Sequence, residues 1–128
     1  MNKIALFLCA LVLCVSASAV NAADAPAGKT KLQHIVALKF KEGASADEIK
    51  KITDAFAALK GKIPEVAAYA GGPNVSKEGK DKGFGHCAIL TFKSQKDLEA
   101  YIVHAEHQAF VKMLGGIVVD AFVYDFWE

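Results

Sequence analysis

From Leu32 to Phe40 the chain alternates: Leu32, His34, Val36, Leu38 and Phe40 fall on one side of an extended backbone, and Gln33, Ile35, Ala37 and Lys39 on the other. That two-residue period predicts a strand. At Ser45 the period changes. Ser45 with Glu48 three residues on forms a capping box, Ile49, Ile52, Phe56 and Leu59 recur at helical spacing, and Gly61 supplies a stop. Ile63-Pro64 turns the chain into a short, alanine-rich second strand, Val66 to Ala70, ending at Gly71-Gly72-Pro73. The lysine-rich stretch from Asn74 to Gly83 has no apolar period and reads as an exposed loop. Alternation returns from Phe84 to Phe92, with His86, Ala88 and Leu90 on one face and Cys87 and Ile89 on the other. Ser94 and Asp97 cap a second helix whose buried side is marked by Leu98, Tyr101, Ile102 and Ala105; the pattern carries it, with room for a kink, to Leu114 and the Gly115-Gly116 stop. Ile117 to Trp127 is apolar on both faces, as expected of a strand covered on each side.

The order β-α-β-β-α-β is the split arrangement of ferredoxin-like folds, an α+β class in which both helices cover one face of a four-stranded antiparallel sheet. The other face is left bare. Ile35, Ala37, Ile89 and the aromatic residues of the last strand would put a large apolar surface in water, so back-to-back pairing of two sheets in a homodimer is expected.

The residues ahead of the first strand follow a different logic. Lys3 precedes an uncharged apolar run from Ile4 to Val15, shorter than the roughly 20 residues a membrane-spanning helix needs. Small residues follow, up to Val20-Asn21-Ala22, which fits cleavage after Ala22. The division expected is a signal peptide over 1–22, a flexible leader over 23–31 and one domain over 32–128, giving a secreted or periplasmic mature protein with no membrane segment. Cys9 and Cys14 each follow a leucine, which argues against a lipid anchor. Cys87 is then the last cysteine of the mature chain, so no intramolecular disulfide forms. The 15 basic residues are all lysine and are balanced by 14 acidic ones. Without a guanidinium fork or a basic excess, nucleic acid is not an expected partner.

Four segments, His34-Ile-Val-Ala-Leu-Lys-Phe-Lys41, Gly72-Pro-Asn-Val-Ser76, Gly83-Phe-Gly-His86 and Tyr101-Ile-Val-His-Ala-Glu-His107, stand in the order of stress-responsive α/β-barrel domains, and the chain resembles that family from about Leu32 to Trp127. The resemblance implies a homodimer whose two sheets form a barrel. The family includes plant stress proteins and a polyketide cyclase, and likeness to the cyclase implies Tyr101 and His107 as an acid–base pair, with His34 and Asp125 as pocket neighbours. Matching the Tyr124-Asp125-Phe126 end implies Phe122, Tyr124 and Phe126 at the dimer interface and Asp125 toward the pocket. The cyclase motif has proline between its helical histidines where this chain has Ala105-Glu106.

The residues themselves narrow the chemistry. His34 and His86 share the apolar, helix-facing side with Val36 and Leu38, a setting that suits either core packing or a pocket wall. Tyr101, His104 and His107 are spaced three apart, so a regular helix would hold all three in one sector. Imidazoles titrating near neutrality beside a phenol suit general acid–base work without a cofactor. Taken together with what the resemblance implies, Tyr101 and His107 as the reacting pair and Asp125 beside His34, the site expected has His34, His86, His104, Asp125, Val36 and Leu38 around a small apolar or phenolic molecule. A metal reading of His104-x-x-His107 has no cysteine or carboxylate cluster to reinforce it, so no metal is expected. Cys87 points to interface packing. The alternative to an enzyme is a stress or structural protein whose histidines only satisfy one another in the core.

Overall fold

The structure, a computed structural model, describes residues 25–128. The expected signal peptide and the first residues of the leader lie outside the described residues. Seven elements follow: β1 (Leu32–Phe40), α1 (Ala46–Lys62), β2 (Ala68–Pro73), β3 (His86–Phe92), α2 (Gln95–Val103), α3 (Ala105–Met113) and β4 (Val118–Trp127). The strands form one antiparallel sheet in the order β2-β3-β1-β4, the ferredoxin-like arrangement with its second helix divided in two. Among the described residues no helix is long and apolar enough to cross a membrane.

Local signals account for the helix starts. The Ser45 hydroxyl accepts from Glu48 N–H at 3.1 Å while the Glu48 carboxylate accepts from Ser45 N–H at 2.9 Å, the reciprocal capping box. Ser94 caps α2 by accepting from Asp97 N–H at 3.0 Å. The core lies between the helices and one sheet face: Ile52, Phe56 and Leu59 of α1, Leu98 and Tyr101 of α2 and Phe110 of α3 close on Leu32, Leu38, Ala88, Leu90 and Phe92.

Opposed residues share a face, so the register sets the sheet out in rows across its four strands. Tyr69, Leu90, His34 and Asp125 form one row on the helix side, and Pro73, His86, Leu38 and Ala121 another. The alternate rows, Ala70-Ile89-Ile35-Tyr124 and Gly72-Cys87-Ala37-Phe122, face away from the helices.

Three elements depart from the sequence pattern. The second strand runs on to Pro73 instead of stopping at Ala70, because β2 is an edge strand and a proline at its end removes no needed ladder hydrogen bond. The last strand is apolar on both faces yet exposed along nearly its whole length. The helices pack over β2 and β3, which leaves β4, the opposite edge, uncovered even on its helix-facing side. The third departure is the break between α2 and α3 at His104, where the backbone is extended (φ −63°, ψ 139°). Finally, the first and last strands are tied beyond their ladder: Thr30 and Lys31 N–H donate to the Glu128 carbonyl at 3.0 and 3.1 Å, and Glu128 N–H returns to Lys31 at 2.9 Å.

Candidate active site

The pairing of β1 with β4 sets His34 directly opposite Asp125. Asp125 Oδ1 lies 2.6 Å from His34 Nδ1, which donates to it, so the neutral His34 ring carries its lone pair on Nε2. The imidazole is buried, whereas the carboxylate sits on the open side of β4. From the helix layer Tyr101 meets His34 edge-on, with ring centroids 5.9 Å apart, and rests on Phe92 at 5.2 Å. The His107 ring lies against that of Tyr101, with centroids 4.4 Å apart.

The break at His104 is what brings His107 there. In a continuous helix the Ile102 carbonyl would accept the N–H of Glu106. Here Glu106 N–H donates to His104 Nδ1 at 3.1 Å, and the Ile102 carbonyl lies 2.9 Å from His107 Nδ1. A carbonyl only accepts, so His107 donates from Nδ1, and its Nε2 is left as the basic nitrogen of the neutral ring. Reading one regular helix placed Tyr101, His104 and His107 in a common sector; the structure joins Tyr101 to His107 and makes His104 the N-cap of α3.

The environment drives the two groups apart in acidity. Burial pushes the Tyr101 phenol well above its usual range, and nearby Tyr69 adds to the effect, so Tyr101 stays protonated and keeps an O–H able to donate. Burial lowers His107; the Ile102 carbonyl opposes this, neighbouring His34 reinforces it, and the net direction is down. A phenol held neutral beside an imidazole held neutral is a donor beside a base.

The family model for the stress responsive A/B barrel domain matches residues 32–128. The chain belongs to this family. It is 29% identical over 98 residues to the stress-response A/B barrel domain-containing protein HS1 of Arabidopsis thaliana, covering 77% of this chain and 90% of that one. It is 23% identical over 95 residues to olivetolic acid cyclase of Cannabis sativa, covering 74% and 94%. Among solved structures, a hydroxynitrile lyase from Passiflora edulis superposes with a TM-score of 0.72 at 22% identity, covering 78% and 94%. A dimeric ferredoxin-like protein from Thermobifida fusca does so with a TM-score of 0.67 at 18% identity, covering 79% and 93%. At these identities the two structures share the fold.

Within this A/B barrel domain the other site candidates separate. Val36 and Leu38 lie on the helix-facing side with His34, with Leu38 sealed in the core. His86 pairs with Leu38 whereas His34 pairs with Leu90, so four strand residues, about 13 Å, divide the two histidines along the sheet. His86 instead borders a groove of about 480 Å³ shared with Ala37, Gly72, Asn74, Asp81 and Cys87. Its Nε2 is buried without a hydrogen-bond partner, and burial lowers its pKa, which keeps it neutral. Cys87 is exposed on the outward face, and partial desolvation pushes its thiol up, so it is not a ready thiolate. Among the described residues no group of three or more His, Cys, Asp or Glu side chains is arranged to hold a metal.

One residue of the site face escaped the sequence reading. Tyr69 stands in the same row as His34, packs on Phe56 at 5.7 Å, and lays its hydroxyl over Gly71, where a Cβ would come within 2.8 Å of it. The signal was present: Tyr69 and Gly71 share parity, an aromatic with a polar tip followed by the residue that leaves it room.

Proposed function

We propose that this domain is an exported homodimer that binds a small, largely apolar or phenolic molecule beside Tyr101, His107 and His34, and acts on it by acid–base chemistry without a cofactor. The observation that carries the reading is the hydrogen bond from His107 Nδ1 to the Ile102 carbonyl. It leaves the basic Nε2 on a half-buried ring in contact with a phenol that stays protonated. In this reading His107 takes a proton from the bound molecule, Tyr101 donates a hydrogen bond to the oxygen on which negative charge develops, and the His34–Asp125 pair fixes the wall of the site. Similarity to a cyclase and to the fold of a hydroxynitrile lyase supports the class of chemistry. The dimeric state is supported by the Thermobifida fusca neighbour and by the aromatic residues that β4 leaves in water.

A second reading rests on Tyr101, which is 1% exposed and packed among Phe92 and His34 in the core. There the same groups only satisfy one another and the domain is a non-enzymatic stress or structural protein. Native mass spectrometry of the wild type and of His107→Ala against a panel of phenolic and lipid metabolites, run beside thermal unfolding, separates the two. A site loses its bound molecule with little loss of stability. A core group loses stability with nothing bound in either protein.

A further inference from the structure

Nothing in the covalent sequence forces the break between α2 and α3. Residues 103–106 are Val-His-Ala-Glu, with neither proline nor glycine, and alanine is the residue best suited to continue a helix. Continuation would restore the bond from Glu106 N–H to the Ile102 carbonyl that the break forgoes. Each of these two groups is instead taken up by an imidazole. His104 accepts from Glu106 N–H through Nδ1, and His107 donates to Ile102 through Nδ1. The backbone on either side is already engaged, since His104 N–H donates to Tyr101 at 3.1 Å and the His104 carbonyl opens α3 by accepting from Gln108 at 3.0 Å. The exposed ion pair of Lys62 with Glu106, at 3.7 Å, adds a weak tether to α1.

We propose that His104 is a positioning residue for His107: its imidazole caps α3, which keeps the Ile102 carbonyl free to hold His107 in one tautomer against Tyr101. The two histidines must then be opposite tautomers. An acceptor Nδ1 puts the His104 proton on Nε2, while a donor Nδ1 leaves the His107 lone pair on Nε2. His104 touches no reacting atom; it acts through the backbone it caps. The importance of this for turnover rests on the base role proposed for His107, but the tautomers do not.

Long-range proton–nitrogen NMR of the imidazoles in the folded domain at mildly alkaline pH reads both rings directly. In the wild type, Nδ1 of His104 should give the unprotonated nitrogen shift and Nδ1 of His107 the protonated one. His104→Ala should return His107 to the mixed tautomers of free histidine. His104→Asn, whose side-chain oxygen can cap a helix, should restore the Nδ1–H form. A wild-type His104 protonated on Nδ1, or a His107 signal that stays unchanged in His104→Ala, overturns the proposal. If His104→Ala does not fold, the wild-type tautomers and the Asn variant still decide it. A wild type with the expected tautomers that binds nothing in the metabolite panel would sink the functional reading and leave the positioning role standing.

Discussion

Replacing Phe122 with lysine is the sharpest test of how the bare sheet face is covered. Phe122 closes an outward row whose other members, Gly72, Cys87 and Ala37, are small, and the next outward row ends on Tyr124, so the aromatic residues of this face stand along its β4 edge. In a homodimer with this face paired about a two-fold axis, every contact of Phe122 would be made twice. Phe122 is 51% exposed in the single chain. Taking roughly 200 Å² for a fully buried aromatic side chain, about 100 Å² remains to be covered, worth about 2.5 kcal/mol at 25 cal/mol per Å². Symmetry doubles that to about 5 kcal/mol, or between three and four orders of magnitude in the dissociation constant, before the cost of burying two ammonium groups. Sedimentation velocity at micromolar concentration should show the wild type as a dimer and Phe122→Lys as a monomer. Val123→Lys is the control: Val123 is equally exposed, at 54%, but lies on the helix-facing side of the same strand, so this variant should still pair. A stable monomeric wild type, or a Phe122→Lys protein that sediments as a dimer, refutes the face-to-face arrangement. Loss of pairing in both variants would point to the strand edge instead.

Other consequences follow from single contacts. Gly71→Ala sets a methyl 2.8 Å from the Tyr69 hydroxyl, 3.1 Å from the Cys87 carbonyl oxygen and 3.2 Å from Ala88 Cβ, and should lower the unfolding free energy by about 1–3 kcal/mol. Tyr69→Phe relieves the first of these contacts alone, so Gly71→Ala/Tyr69→Phe should recover only part of the loss, as chemical denaturation of the wild type, the two single variants and the double variant would show. Asp125→Asn removes the charged acceptor of His34 Nδ1–H and should cost about 1–3 kcal/mol of stability while displacing the His34 proton signal; an unchanged signal would mean that the pair is not formed. His86 and His107 are both depressed by burial, so between their folded values and the ordinary 6.5 the unfolded chain binds more protons. Stability should therefore be full above about 6.5, fall as pH drops through that window, and level off below the folded pKa values; His86→Gln and His107→Gln should each flatten the slope.

The sequence carried the strands, the first helix and its cap, because alternation and the Ser45–Glu48 box are local. The register of β1 against β4 is not local, and the opposition of His34 to Asp125 reached the sequence reading only through family likeness. The exposure of β4 could not be read from its pattern either, since a strand buried on both faces and one awaiting a partner have the same apolar composition. The His104 break shows a third kind of limit. Helix propensity favours continuation through Ala105, and what opposes it is a pair of side-chain to backbone hydrogen bonds whose energies depend on where two imidazoles end up. Tyr69 is a simpler case: Gly71-Gly72-Pro73 has the composition of a strand end, and only the extension of β2 to Pro73 puts Gly71 on the same face as Tyr69.

The hydrogen bonds of Thr30 and Lys31 with Glu128 join the two ends of the described chain into a closed loop of structure. A short connector from Glu128 back to Thr30 would retrace a junction that already exists, and the exposed Asn74–Gly83 segment offers a place to open new ends without cutting a strand. A circularly permuted domain starting in that segment should keep the sheet order, because the strands would be visited in a different sequence but paired as before.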